Sequence, residues 1–196
     1  MRFQALKSHV LKLMEEQLPD GLSYHGLHHT LSVMKAAERI VKHEGLTPQE
    51  EELLMAGVLL HDIGFVETYH NHEEKGVEIA SSLLPSFGYN TEDIQIIHAL
   101  ILRTKIPQSA YTRMEQIICD ADLDYLGTDD FFAIGNTLFE ELKRHGVLKN
   151  EKEWNRLQVS FLSSHSYYTD YARKYRQQKK EENFLLVKNI VETYED

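Results

Sequence analysis

The chain has 196 residues, 42% hydrophobic and 27% charged, with a formal net charge of −10. That length suits one domain, 1–196, with a core that needs no disulfide or structural metal, and the composition excludes a disordered chain. The negative charge disfavours nonspecific attraction to nucleic acid or anionic lipid, and no stretch approaches the ~18 consecutive apolar residues of a membrane span.

Apolar residues recur three or four apart, so the expected fold is all-α, a bundle of about nine helices. In chain order they fall near 2–17, 26–44, 48–62, 72–84, 91–103, 113–126, 129–145, 151–164 and 167–193. Thr47-Pro48-Gln49-Glu50 is a capping box with proline at the first helical position. The last helix is expected to be long, its middle solvated, with Phe184, Leu185, Ile190 and Val191 folding back onto the body or onto a second copy in a homodimer. Arg173, Arg176 and Lys180 share one face there, read as a solvated charge run. The single cysteine, Cys119, sits on an apolar face as a buried thiol and excludes a disulfide framework. The N-terminal MRFQALKSHVLKLMEEQ lacks the apolar run of a signal peptide, so a cytoplasmic protein is expected.

Two segments concentrate imidazoles: YHGLHHT at 24–30 and LLHDIG at 59–64. Residues three and four apart share a helix face. His29 is in register with Val33, Ala36, Ala37 and Ile40 and faces inward; His28, with Ser32, Lys35 and Arg39, faces water. His25 lies one turn before His29 on the same side. His61 and Asp62 are carried to the end of an apolar helix, where Gly64 lets the chain turn away. A buried carboxylate is costly unless paired or bound to a metal. In IICDADLD, Asp122 shares its face with Ile118, Cys119, Tyr125 and Leu126 and is read as the buried carboxylate. Asp120 and Asp124 are left to cap, orient or face water. His29, His61, Asp62 and Asp122 then make a four-ligand N/O set with open positions, although a lone inward histidine is as simply a hydrogen-bonded core residue.

The order H…HD…D, carried by His29, His61-Asp62 and Asp122, resembles the HD-domain superfamily of metal-dependent phosphohydrolases. The resemblance runs over about residues 20–130, with the last aspartate in the Ala121-Asp122-Leu123 context. ETYHNHEEKG, RTKIPQ and CDADLDYLG resemble a bacterial subgroup of small standalone HD proteins. HDIGFVE lacks the acidic pair of the alarmone hydrolases, and the Gly-Tyr-Pro element of the cyclic-di-GMP phosphodiesterases is absent. YHGLHHT is similar to the YHNxxHA segment of cyclic-nucleotide phosphodiesterases, which places His25 at the general-acid position with Gly26 in place of the asparagine.

The resemblance implies a divalent ion, from among Mn²⁺, Fe²⁺, Co²⁺, Ni²⁺, Zn²⁺ and Mg²⁺, and a small phosphate ester, of a nucleotide or related molecule, as substrate. Asp62 serves both as a ligand and as a catalytic group orienting water, and His25 protonates the leaving oxygen. His72, in register with Gly76, Ile79 and Leu83, is a second metal ligand or a phosphate contact, with Lys75 one turn on as a phosphate contact or a solvated lysine. Asp120 is expected to orient a ligand from behind. His98, on the face of Ile94, Ile101 and Leu102, is read as core. Two other readings stay open: a metal-binding regulatory HD protein without turnover, and a di-iron oxygenase recruiting His72 and His98.

Overall fold

The computed structural model describes residues 2–194, so residues 1, 195 and 196 of the expected 1–196 domain lie outside the described residues. Among the described residues the chain is all-α. Ten helices follow in order: α1 (Arg2–Gln17), α2 (Leu27–Glu44), α3 (Pro48–Leu60), α4 (His72–Leu83), α5 (Thr91–Arg103), α6 (Arg113–Asp122), α7 (Phe131–Arg144), α8 (Glu151–Ser164), α9 (Asp170–Tyr175) and α10 (Gln177–Glu192). Short 3₁₀ turns occupy Ile63–Val66, Leu84–Phe87 and Asp124–Gly127. Among these residues no helix is long and apolar enough to cross a membrane.

Local chemistry explains the starts and stops. Full capping boxes open α3 (Thr47 with Glu50), α5 (Asn90 with Asp93) and α6 (Thr112 with Glu115), satisfying backbone donors that a helix start leaves free. Gly45, at φ 65°, ends α2 in the left-handed conformation that glycine adopts without strain. From Leu53 to Leu60 every residue of α3 is buried, which makes it the central helix, packed by α1, α2 and α5. A second, smaller core of Leu123, Leu126, Phe131, Leu162 and Val187 ties the C-terminal helices together.

Three expected boundaries move. The helix expected over 48–62 stops at Leu60, with His61 as its cap and Asp62 opening the 3₁₀ turn. The one expected over 113–126 stops at Asp122. The long helix expected over 167–193 is broken at Arg176. There the guanidinium grips Asp124, Nε to Oδ1 at 2.8 Å, and the Arg176 carbonyl presses on Gly127, where a Cβ would meet it at 2.4 Å. The solvated reading of Arg173, Arg176 and Lys180 is therefore corrected for two of the three. Arg173 is exposed, but Arg176 is anchored and Lys180 is 4% exposed, donating to the His165 carbonyl at 2.5 Å. Of the apolar residues expected to fold back, Phe184 packs on the second core, whereas Leu185 and Ile190 are exposed and Val187 takes the buried position.

Gly64 acts through close approach rather than through a turn. A Cβ there would sit 1.9 Å from the His72 carbonyl oxygen, so only glycine lets the 3₁₀ turn after Asp62 lie against the start of α4. Gly64→Ala is expected to destabilise the fold by roughly 1–3 kcal/mol, the cost of overpacking a close contact. Urea unfolding would measure this, and an unchanged midpoint would show that the two segments part at no cost.

Candidate metal centre and active site

Gly26 holds an extended backbone (φ −94°, ψ 178°) and α2 starts immediately after it. His29 therefore enters in the first turn, facing inward at 7% exposure, while His28 is exposed. His61, at the end of α3, donates its Nδ1 hydrogen to the Val58 carbonyl at 2.8 Å. That bond fixes the tautomer and leaves a lone pair on Nε2 in the neutral ring. His61 Nε2 faces Asp62 Oδ2 at 3.2 Å, His29 Nε2 at 3.4 Å and Asp122 Oδ1 at 3.6 Å. His29 Nε2 lies 3.1 Å from Asp122 Oδ1 and 3.6 Å from Asp62 Oδ2. The structure thus brings together the four side chains the motif named, from α2, the end of α3 and the end of α6.

With both imidazoles neutral these groups would repel one another; a proton on His61 or a metal ion among them offsets that. Asp62 Oδ2 is buried without a hydrogen-bond partner, an arrangement that costs free energy when left uncompensated. Burial opposes a charge on His61, yet Asp62 and Asp122 together push it up to about 9. Burial likewise opposes ionisation of Asp62, but His61, followed by His25 and His29, holds it well below the usual carboxylate range. Ligand atoms of His29, His61 and Asp122 all lie within 4.8 Å of one another. The set of two imidazole nitrogens and two carboxylates fits a divalent ion of borderline or hard character. Gln108, from the RTKIPQ segment, donates to the outer oxygen of Asp122 at 3.1 Å and orients that carboxylate.

Beside the cluster stands an aromatic stack that periodicity could not show. His25, Phe65 and His72 lie face to face, with ring centroids 4.4 Å apart for the first pair and 4.0 Å for the second. His72 Nε2 reaches Asp62 Oδ1 at 3.5 Å, so Asp62 has one oxygen toward the histidine pair and the other toward His72. Glu73 adds a buried carboxylate 3.5 Å from the same nitrogen. His25 Nδ1 is bonded to Glu141, whose side chain is fully buried in α7 and also accepts from the backbone N–H groups of Tyr24, at 2.7 Å, and His25, at 3.1 Å. Burial lowers the His25 pKa, but the Glu141 bond and the Asp62 charge outweigh it and keep the imidazole above its ordinary value. Glu141 was missed in the sequence, although it follows Ile134 and Leu138 on one helical face, the facing rule that singled out Asp122.

Several expected roles are corrected. The burial expected of Asp122 within IICDADLD is reversed: Asp120 is 0% and Asp124 7% exposed, whereas Asp122 is only partly buried. Asp120 makes no hydrogen bond or ion pair with the cluster; it accepts from the backbone of Tyr168 and from the Thr169 N–H and hydroxyl, the last two at 2.7 Å, and so pins the segment before α9. Burial pushes its carboxyl up to about 6 against those donors. Asp124 holds Arg39 and Arg176, each at 2.8 Å. Lys75 lies between Glu78 and Glu67 and lines a different hollow, so its role as a phosphate contact is withdrawn. His98 is neither core nor site: it is half-buried and bonds the Ser81 hydroxyl at 3.1 Å, which removes a ligand the oxygenase reading needed.

Two cavities border the cluster, and Tyr24, Asp122 and Tyr125 line both. The larger, about 700 Å³, carries Lys35, Arg39 and Arg176, but Asp124 takes both guanidiniums. The other, about 350 Å³, is bordered by His25, Asp62, His72 and Asp122 and is otherwise largely apolar.

The HD domain profile matches residues 26–124, which contain all four clustered side chains. An uncharacterized protein of Clostridium beijerinckii is 37% identical over 81 residues, 40% of this chain and 51% of that relative, so the match spans about half of the relative's length. A crystal structure described as a predicted HD superfamily hydrolase from an uncultured Thermotogales bacterium superposes with a TM-score of 0.60 at 23% identity, covering 95% of this chain and 90% of that one. At that identity the likeness speaks for the fold. The matched half of the chain, with its clustered His29, His61, Asp62 and Asp122, makes this an HD-domain protein.

Proposed function

We propose that the chain is a metal-dependent phosphohydrolase that cleaves a small-molecule phosphate ester. The observation that carries the reading is the four-residue cluster, with Asp62 Oδ2 buried and poorly hydrogen-bonded, beside a cavity that His25, bonded to Glu141, also borders. The word hydrolase in the description of the Thermotogales neighbour points the same way. His29, His61, Asp62 and Asp122 would hold the ion. A divalent ion in that position lowers the pKa of bound water and polarises a phosphoryl oxygen.

The chain's own groups then have separate tasks. Asp62, with one oxygen in the cluster and one toward His72, is placed to accept a hydrogen bond from the attacking water. His25 supplies a proton to the departing oxygen, and Glu141 orients that imidazole and favours its charged form. His72 is placed to contact the phosphate or to serve a second ion with Asp62 and Glu73. A nucleotide substrate has less support, because the two arginines of the larger cavity, Arg39 and Arg176, are committed to Asp124.

Alanine at His29, His61, Asp62 or Asp122 should strip the ion from the purified protein, whereas His28→Ala should retain it. Metal analysis decides this, and full occupancy in Asp62→Ala would refute the ligand set.

His25→Ala should slow cleavage of a sugar or alkyl phosphate roughly 10²–10⁴-fold, the usual size of general acid assistance, while largely sparing p-nitrophenyl phosphate, whose leaving group departs as an anion. Glu141→Gln should show the same selectivity with a smaller loss. Equal losses on both esters would make His25 a positioning residue.

A further inference from the structure

The cavity of about 350 Å³ has two chemically distinct ends. His25, Asp62, His72, Glu73 and Asp122 form the polar end. The remaining wall is mainly Leu126, Phe131, Leu138, Trp154, Leu157 and Phe161, contributed by the turn after α6 and by α7 and α8, with the Gln158 amide the polar group among them. No lysine or arginine is among the residues lining it. The HD-domain match ends at residue 124, so this wall is built by a part of the chain outside the shared segment. The cavity borders solvent beside Ile106 and Leu157, which are 52% and 44% exposed. Its size suits a small molecule, and its apolar wall with convergent polar groups at one end is the usual form of a ligand pocket.

A ribose or a polyphosphate placed against that wall would lose its water and meet few partners, which is costly for polar groups. An apolar tail loses nothing there and gains burial. Building on the phosphohydrolase reading, we propose that the substrate is a phosphate monoester of an apolar alcohol, whose tail fills this cavity while its phosphate meets the cluster. The oxygen of water bonds to phosphorus, the bond from phosphorus to the alcohol oxygen breaks, and His25 returns a proton to that oxygen. The products are the free alcohol and inorganic phosphate.

Trp154, the chain's single tryptophan, borders the cavity, so its fluorescence reports filling without any turnover. The metal-loaded protein would be titrated with ethyl, butyl, hexyl and octyl phosphate, and with adenosine monophosphate and glycerol phosphate. Affinity should rise roughly fourfold per methylene, the ratio given by about 0.8 kcal/mol per buried CH₂, until the cavity is full. Leu157→Glu, at a half-exposed position that tolerates charge, should weaken octyl phosphate roughly tenfold and leave ethyl phosphate nearly unchanged. Affinity independent of chain length, or tighter binding of adenosine monophosphate than of octyl phosphate, overturns the proposal. Release of phosphate from the polar esters without any chain-length dependence would keep the hydrolase reading and remove this one. Chain-length-dependent binding with no phosphate released from any ester would keep the pocket's ligand class and remove the hydrolase reading, and with it the ligand's role as substrate.

Discussion

Two carboxylates and two imidazole nitrogens are forced together, largely out of water, where lone pairs face lone pairs. His61 cannot turn away, because its other nitrogen is committed to the Val58 carbonyl. Asp62 Oδ2 is buried without a well-aligned hydrogen-bond donor and has His61 Nε2 beside it at 3.2 Å. A protein interior tolerates such a group only when something offsets the desolvation, and a positive ion at the focus of the four side chains offsets it most directly. The rest of the architecture is arranged around that constraint: α2, the end of α3 and α6 bring the cluster's side chains to one place, and α3, buried from Leu53 to Leu60, holds them in register.

The contacts around the cluster divide into those that hold ligands and those that shape what can approach. Gln108 fixes the outer oxygen of Asp122, and Gly64 lets Phe65 and the start of α4 come close enough for His72 to reach Asp62. Glu141 ties α7 to the loop before α2 and gives His25 its partner. Asp120 and Asp124 anchor the C-terminal helices through Thr169, Arg39 and Arg176. The same DADLD stretch thus joins the His-Asp cluster to the segments that follow it, whose α7 and α8 wall the apolar cavity.

Helical periodicity made much of this legible. The inward register of His29 and the apolar run ending in His61-Asp62 were readable because a 3.6-residue repeat places such groups without knowledge of the tertiary fold. That rule failed where helices end. At DADLD it assumed one continuous helix, but the chain leaves α-helical geometry after Asp122, which re-aims Asp124; Asp120, still within α6, takes its donors from Tyr168 and Thr169 nearly fifty residues on, where no local period reaches. The break at Arg176 was invisible for a related reason: nothing local interrupts the helical pattern, and the cause is a contact with Asp124 and Gly127 some fifty residues away. Glu141 sits more than a hundred residues from His25, and only the fold reveals that pairing.

The central claim is that the cluster is a cation site whose four side chains are stabilised by the ion they hold. Thermal unfolding of chelator-stripped protein, titrated with Mn²⁺, Fe²⁺, Co²⁺, Ni²⁺, Zn²⁺ and Mg²⁺ in turn, tests it most directly. An ion that binds the folded chain should raise stability by about 2.7 kcal/mol at a hundredfold excess over its Kd. The account predicts a concentration-dependent rise in Tm for at least one of these ions, and its loss in Asp62→Asn. A Tm indifferent to every divalent ion, or a rise that survives in Asp62→Asn, would contradict it.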